Sequence, residues 1–272
     1  AEPYRELFYS ENAKTCEVVL CRRYDKAFGI SHSVPYNIKF GRTSLTRRFM
    51  NHYLMADGSR FTDKEGWETM PYSEETQGRD PRMAQTVLCP GYKQVEATTV
   101  TRNTLSSHTG YEPIKFVGTA ANSTTSGAAS SDWILMRAAE VYLNYAEAAN
   151  EAYGPDGRAG GLPMTALDAV NKVRNRAGMP DVLDKFTGSA PLLRERIRNE
   201  RCVELAFEGH RLFDIRRWRI AEQVMNGEVY GATPPGADDR YLAQTRVFNP
   251  NRDYLWPIPV GEMNTNTAME QN

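Results

Sequence analysis

Between residues 132 and 226 apolar side chains recur every three or four positions, the spacing that lines one face of an α-helix. Leu135, Ala138, Tyr142, Tyr145 and Ala149 mark one such face, with Asp132 placed to cap its start and Gly154 to end it. Leu167, Val170 and Val173 mark a second helix, which Gly178 stops ahead of Pro180. From Arg194 to Trp218 the chain reads RERIRNERCVELAFEGHRLFDIRRW, two consecutive helices joined at Gly209. Ile197, Leu205 and Phe207 supply apolar contacts in the first, and Leu212, Ile215 and Trp218 lie at three-residue steps in the second. Two sequential helix hairpins predict tetratricopeptide-like units, each completing its core against its neighbour. The expected fold class is mostly α, with tetratricopeptide-like helix pairs, long loop insertions and a few short strands.

Outside that span the pattern is weaker, so three regions are expected: a loop-rich 1–131, a helical scaffold over 132–226 and an extended tail over 227–272. Glu17–Leu20 and Met83–Leu88 read as strands, the latter ended by Pro90–Gly91. Leu45–Met55 has near-helical spacing up to the Asp57–Gly58 turn signal, whereas Lys26–Thr43 is irregular. Ser59–Gln77 is a polar loop holding Phe61, Trp67 and Tyr72. Thr98–His108 and Gly118–Ser131 are rich in small and hydroxylated residues, and Gly118–Ser131 is expected to be the most flexible stretch.

Within 194–218 seven arginines and four glutamates surround a thin apolar stripe, and Glu200, Glu204 and Glu208 stand four apart as one acidic ridge. As a generic charged helix this is a solvated, salt-bridged face, where exposed pairs contribute only ~0.2–1 kcal/mol each. Arg201, Glu204, Glu208, Arg211 and Asp214 are expected to form an ion-pair network at the Gly209 junction, with no solute bound to it. The net charge of the 272 residues is −1, which argues against bulk attraction to nucleic acid or anionic lipid. Cys16, Cys21, Cys89 and Cys202 do not form a disulfide framework and read as free, largely buried thiols, a Cys16–Cys21 bridge being the minor alternative.

The order of residues says more than their composition. RNERCVELAFEGHRLFDIRRW strongly resembles the signature of the SusD/RagB family of bacterial outer-membrane nutrient-binding lipoproteins, RxERRxELAFEGxRxFDLRRW, departing from it at Cys202. Four further segments resemble the same family in the right order: Gly78–Tyr92, Ser131–Ala148, Ala169–Pro180, and YLWPIP at Tyr254–Pro259 with the residues after it. The resemblance covers nearly the whole chain and implies the C-terminal half of a family member. It implies a helical scaffold whose loops carry the ligand surface. It also implies a precursor with a secretory signal and a lipidated cysteine, anchored on the extracellular face of the outer membrane. Ala1–Ser10 is no signal peptide, and AEPYRELFYSEN reads like the tail of a helix cut from a longer protein, whose truncated face is expected to expose apolar surface. The implied function is capture of an oligosaccharide and its delivery to a TonB-dependent outer-membrane transporter, with no cofactor. A peptide ligand of the RagB type, and a scaffold with no soluble ligand, are the alternatives.

The residues themselves offer little catalytic chemistry. His32, His52, His108 and His210 are dispersed, and no HExxH, paired CxxC or glycine-rich phosphate loop occurs. His210 reads as a structural hydrogen-bonder. Glu204 with Glu208, and Asp80 with Asp57, could form a glycosidase pair, but the arginines around Glu204 and Glu208 would lower a carboxyl that a general acid needs raised. Asp80, between Arg79 and Arg82, reads as a turn locked by salt bridges. Neither a catalytic residue nor a metal ligand is assigned. Flat aromatic rings, which bury the apolar face of a sugar at low entropic cost, are the remaining signal. Trp67 is the best candidate, with Phe61 and Tyr72 flanking it, whereas Trp133, Trp218 and Trp256 are expected in the core.

Overall fold

The computed structural model describes residues 3–11, 16–41, 43–101, 107–233 and 241–271. Six short helices precede the scaffold: α1 (Pro3–Tyr9), α2 (Val34–Phe40), α3 (Arg47–Met50), α4 (Tyr72–Glu75), α5 (Met83–Thr86) and α6 (Ala120–Ser123). Six more follow: α7 (Ala138–Tyr153), α8 (Ala166–Arg176), α9 (Ala190–Glu204), α10 (His210–Arg217), α11 (Ala221–Met225) and α12 (Val260–Thr265). Two antiparallel ribbons complete the described chain. β1 (Val18–Arg22) pairs with β2 (Trp133–Arg137), and β3 (Gly227–Tyr230) pairs with β4 (Leu242–Arg246). The mostly-α architecture expected from periodicity is therefore what folds.

The scaffold forms because α7 presents small residues to both neighbours. Leu143, Ala146 and Ala149 are buried against Ala166, Ala169 and Val170 of α8 and Leu193 and Ile197 of α9. Alanine at the contact lets backbones approach closely and loses no side-chain entropy on burial. α8 opens with a capping box in which the Thr165 hydroxyl accepts from the Asp168 amide at 3.0 Å and Asp168 accepts from the Thr165 amide at 2.9 Å. Gly209 joins α9 to α10 with φ 88°, a left-handed conformation that glycine adopts without a Cβ penalty.

Several boundaries differ from the sequence reading. Asp132 does not cap a helix: its carboxylate accepts from the Tyr24 amide, and residues 133–137 form β2 before α7 begins. β1 captures that segment because its unpaired backbone groups bond across the ribbon, which outweighs helical periodicity there. Met83–Leu88 is no strand but begins as the single turn α5, and the helix at Leu45–Met55 is confined to α3. Lys26–Thr43, read as irregular, contains α2 with Pro35 in its first turn. Gly118–Ser131 contains α6 and ends in buried Ala129, Ser130 and Ser131. Cys89 and Cys202 are buried thiols, but Cys16 is exposed and Cys21 half-buried; all four are free. Trp256 is 62% exposed under the Arg216 guanidinium instead of in the core. The tail around Pro234, Pro235 and Gly236, and part of Thr98–His108, lie outside the described residues.

The acidic ridge is where the structure departs furthest from a solvated face. Glu200 and Glu204 are buried, and Glu208 is nearly so. Glu204 accepts from Arg82 at 2.8 Å, from Arg137 at 2.5 Å and from Arg176. Glu200 accepts from Arg82 and Arg174, and Glu208 from Arg137 and Lys115, each at 2.7 Å. Asp80 takes the other side of Arg82 at 2.6 Å, and Glu17 reaches Arg137 at 2.9 Å. Five carboxylates thus face five cations drawn from six parts of the chain. The expected network is corrected accordingly: Arg201 pairs with Asp214 at 2.7 Å on the far side of α9, and Arg211 lies against His52. Burial is the reason, because a desolvated carboxylate needs charged donors from every side, and one helix face cannot provide them.

Burial alone would raise the Glu204 carboxyl, but Arg137, Arg176 and Arg82 outweigh it and hold the group far below the usual carboxylate range. A folded-state value depressed in this way stabilises the fold above the unfolded value of about 4.3, and the contribution is lost as pH falls below that. Glu204→Gln should cost roughly 3–5 kcal/mol, because three guanidiniums lose a buried counter-charge. Urea unfolding at neutral pH measures the cost, and between about pH 5 and pH 3, the upper part of that window, the variant should lose stability less steeply than the wild type. A loss under about 1 kcal/mol would contradict the buried network.

Candidate functional site

A cleft of about 660 Å³ opens where α3, α10, α11 and the β3–β4 ribbon meet the loop carrying Trp67. Trp67 is half-buried on its wall, and Tyr230 of β3 faces the same space. Arg48, Asn51 and Asn226 line it with hydrogen-bonding groups. This combination of an apolar wall with a few convergent polar groups is typical of small-ligand sites.

Trp67 is held in place by Phe61, Arg79 and Arg47, of which Arg47 alone also lines the cleft. Its ring packs edge-on against Phe61, centroids 6.3 Å apart, and Phe61 lies under the Arg79 guanidinium at 3.8 Å. Arg79 in turn donates to the carbonyls of Met50, Tyr53 and Glu75, closing the end of α3. Buried Arg47 donates to the carbonyls of Trp67 at 3.3 Å and Met70 at 3.2 Å, to Glu75 at 2.9 Å and to Thr233 at 2.8 Å. One guanidinium therefore ties the loop to α4 and to the chain before β4.

Of the three aromatic residues predicted in this loop, only Trp67 reaches the cleft. Phe61 is 1% exposed and Tyr72 6%, and the Tyr72 hydroxyl donates to the Leu88 carbonyl beside Tyr111. Both are supports of the loop and offer no face to a ligand. Arg48, Asn226 and Tyr230 went unassigned in the sequence, where nothing but the aromatic type of Tyr230 could have drawn attention to them. The residues expected to be catalytically unsuited are placed as follows. Glu204 and Glu208 sit in the buried network, Asp80 pairs with Arg82, and Asp57 is exposed and accepts from Ser59. His210 lies 3.7 Å from Glu140. Among the described residues no cluster of three His, Cys, Asp or Glu could hold a metal ion, and no helix is long and apolar enough to cross a membrane.

His52 forms the back wall. Burial first, and then the Arg211 charge, lower its imidazole to about 4, so the ring is neutral at physiological pH. The neutral ring donates from Nδ1 to the Asn199 side-chain oxygen at 2.9 Å, while Asn199 donates back to the His52 carbonyl at 2.9 Å. That leaves Nε2 as an acceptor, 3.5 Å from the Arg211 guanidinium. Beyond His52 and Arg211 lies a second cleft of about 620 Å³, which shares both residues with the first.

A family model described as the SusD family matches residues 19–272. Two curated relatives from Formosa agariphila, SusD-like protein P2 and SusD-like protein P25, are 35% and 33% identical over 148 and 141 residues. Those stretches make up 53% and 52% of this chain but only 26% and 23% of the relatives. Among solved structures, a SusD-like protein from Bacteroides fragilis superposes with TM-score 0.76 at 26% identity, over 100% of this chain and 56% of its own. A SusD-like carbohydrate binding protein from the same species gives TM-score 0.74 at 26% identity, over 99% of this chain and 57% of its own. The chain thus spans little more than half the length of the proteins it superposes on.

The loop staple is testable apart from any ligand. Burial raises the Glu75 carboxyl, and Arg47 is the main group opposing it. Arg47→Met removes that counter-charge and should cost roughly 3–5 kcal/mol in urea unfolding. Hydrogen exchange of amides 64–72 should accelerate in the same variant; unchanged protection there would show that Arg47 does not order the loop.

Proposed function

The chain belongs to the SusD family, and on that footing we propose that it binds oligosaccharide at the bacterial cell surface, cleaves no bond, and passes the ligand to a TonB-dependent outer-membrane transporter. The carrying observation is the cleft that the half-buried Trp67 lines together with Tyr230, arginine and asparagine residues. A pyranose laid on the indole would bury its apolar face, and its hydroxyls would meet donors and acceptors at the rim. The likeness to a carbohydrate binding protein of B. fragilis supports a saccharide over a peptide ligand. Glu228 is the one carboxylate on the described cleft wall, and it accepts from the Tyr230 hydroxyl. Bond cleavage between sugars ordinarily needs two carboxyl groups facing one another, which supports binding and hand-over as the mechanism. The proposed location, the extracellular face of the outer membrane through a lipid anchor, follows from the family alone.

Calorimetric titration with a panel of oligosaccharides tests the reading. Trp67→Ala should lose about 1–3 kcal/mol of binding, roughly 10- to 200-fold in affinity, with Tm shifted by only a few degrees. Glycan affinity that survives the substitution, or binding of peptides with no saccharide bound, would contradict it.

A further inference from the structure

The second cleft has a charge character that the chain as a whole lacks. Six arginines line it against a single carboxylate, Glu195, in a protein of net charge −1. In the Glu204 network every guanidinium is met by carboxylates, but here the matching fails. Arg60 and Arg196 share Glu195, and Arg194 is held by Glu151. Arg48, Arg198 and Arg211 have no carboxylate within ion-pair distance among the described residues; Arg48 donates instead to the carbonyls of Gln223 and Val224.

Three of these guanidiniums lie over aromatic rings, Arg60 over Phe186 at 5.1 Å being the most distant. Arg196 lies over Phe186 at 4.4 Å and Arg198 over Trp218 at 4.7 Å. Stacking fixes the plane of a guanidinium and leaves its edge free to donate. The Arg196 side chain is only 5% exposed, yet its Nε and Nη1 have no hydrogen-bond partner, and neither has the Arg198 Nε. Buried charged donors left unpaired are costly, and an incoming acceptor would satisfy them. The lowered His52 imidazole is consistent with the same surplus of positive charge, since Arg211, Arg196 and Arg48 all act on it after burial.

We propose that the second cleft is an anion subsite, continuous with the Trp67 cleft across His52 and Arg211, that takes sulfate or carboxylate groups carried on the bound oligosaccharide. The proposal rests on the glycan reading above and narrows it to acidic saccharides. A planar carboxylate or a sulfate oxygen pair matches the guanidinium fork, whereas a neutral hydroxyl offers no charge to repay the desolvation of Arg196. A saccharide is favoured over an acidic peptide because the arginine cleft shares wall residues, His52 and Arg211 among them, with the aromatic one.

The test is binding of the wild type, Arg198→Gln and Trp67→Ala to an array of matched neutral, uronate-bearing and sulfated oligosaccharides, with oligoglutamate as a non-sugar anion. Arg198 lines only the second cleft, so its variant leaves the Trp67 wall intact. Acidic saccharides should bind more tightly than their neutral counterparts and weaken as salt is raised. They should lose roughly 10- to 100-fold in affinity on Arg198→Gln, while neutral ones are unchanged. The uronate and sulfate arms show which group is taken. Equal binding of neutral and acidic forms, an acidic form indifferent to Arg198→Gln, or oligoglutamate binding as tightly as the acidic sugars would each overturn the subsite. Saccharide binding indifferent to Trp67→Ala overturns instead the reading it rests on, whatever Arg198→Gln does.

Discussion

Glu204, buried among Arg82, Arg137 and Arg176, is the interaction on which the rest of the structure depends. Its three partners come from the turn before α5, the end of β2 and the end of α8, so one carboxylate fixes how the loop-rich region meets the helical scaffold. Its backbone carbonyl serves the same end, accepting from the Tyr4 hydroxyl and from Arg137. A buried ion cluster is not a cheap source of stability, because each ion sheds several kcal/mol of hydration that only good geometry recovers. It does discriminate strongly against alternatives, since a shift of α9 by one residue would leave several charges buried and unpaired. Hydrophobic packing of α7 against α8 and α9 supplies the driving force, and the ion cluster selects one arrangement.

The same side-chain chemistry performs three tasks at increasing distance from that hub. Around Glu204 the arginines are matched by carboxylates. Around the Trp67 loop, Arg47 and Arg79 are matched mainly by backbone carbonyls, which converts charge into loop order. Around the second cleft the matching stops, and guanidiniums rest on aromatic rings with donors to spare. Binding residues on loops need rigid support to be useful, and here the support can be followed from Glu75 through Arg47 to the Trp67 carbonyl.

Much of the scaffold could be read from spacing. α8, α9, α10 and the Gly209 joint follow from helical periodicity and glycine, because those helices bury one face against a partner. The start of α7 was misplaced because Leu135 continues a helical pattern that β1 overrides through backbone pairing, and Leu135 is exposed there. The polar surroundings of Trp67 agree with its place on a cleft wall, but the same argument expects Phe61 and Tyr72 at the surface, and both are buried. Local polarity cannot reveal that the underside of a loop is core. The burial of Glu200 and Glu204 was hidden for a related reason, since Arg82 and Arg137 lie far away in sequence. The arginine cleft was invisible because its surplus arises from which charges fail to meet, a property of tertiary placement.

The central claim is that the cleft lined by Trp67 and Tyr230 holds a sugar, and a crystal structure of the protein with bound oligosaccharide tests it most directly. The account predicts a pyranose face stacked on the Trp67 indole, with its hydroxyls bonded to side chains such as Asn51 and Asn226 and the chain running towards Arg211. Oligosaccharide density at any other surface, with the Trp67 cleft filled by solvent alone, would contradict it.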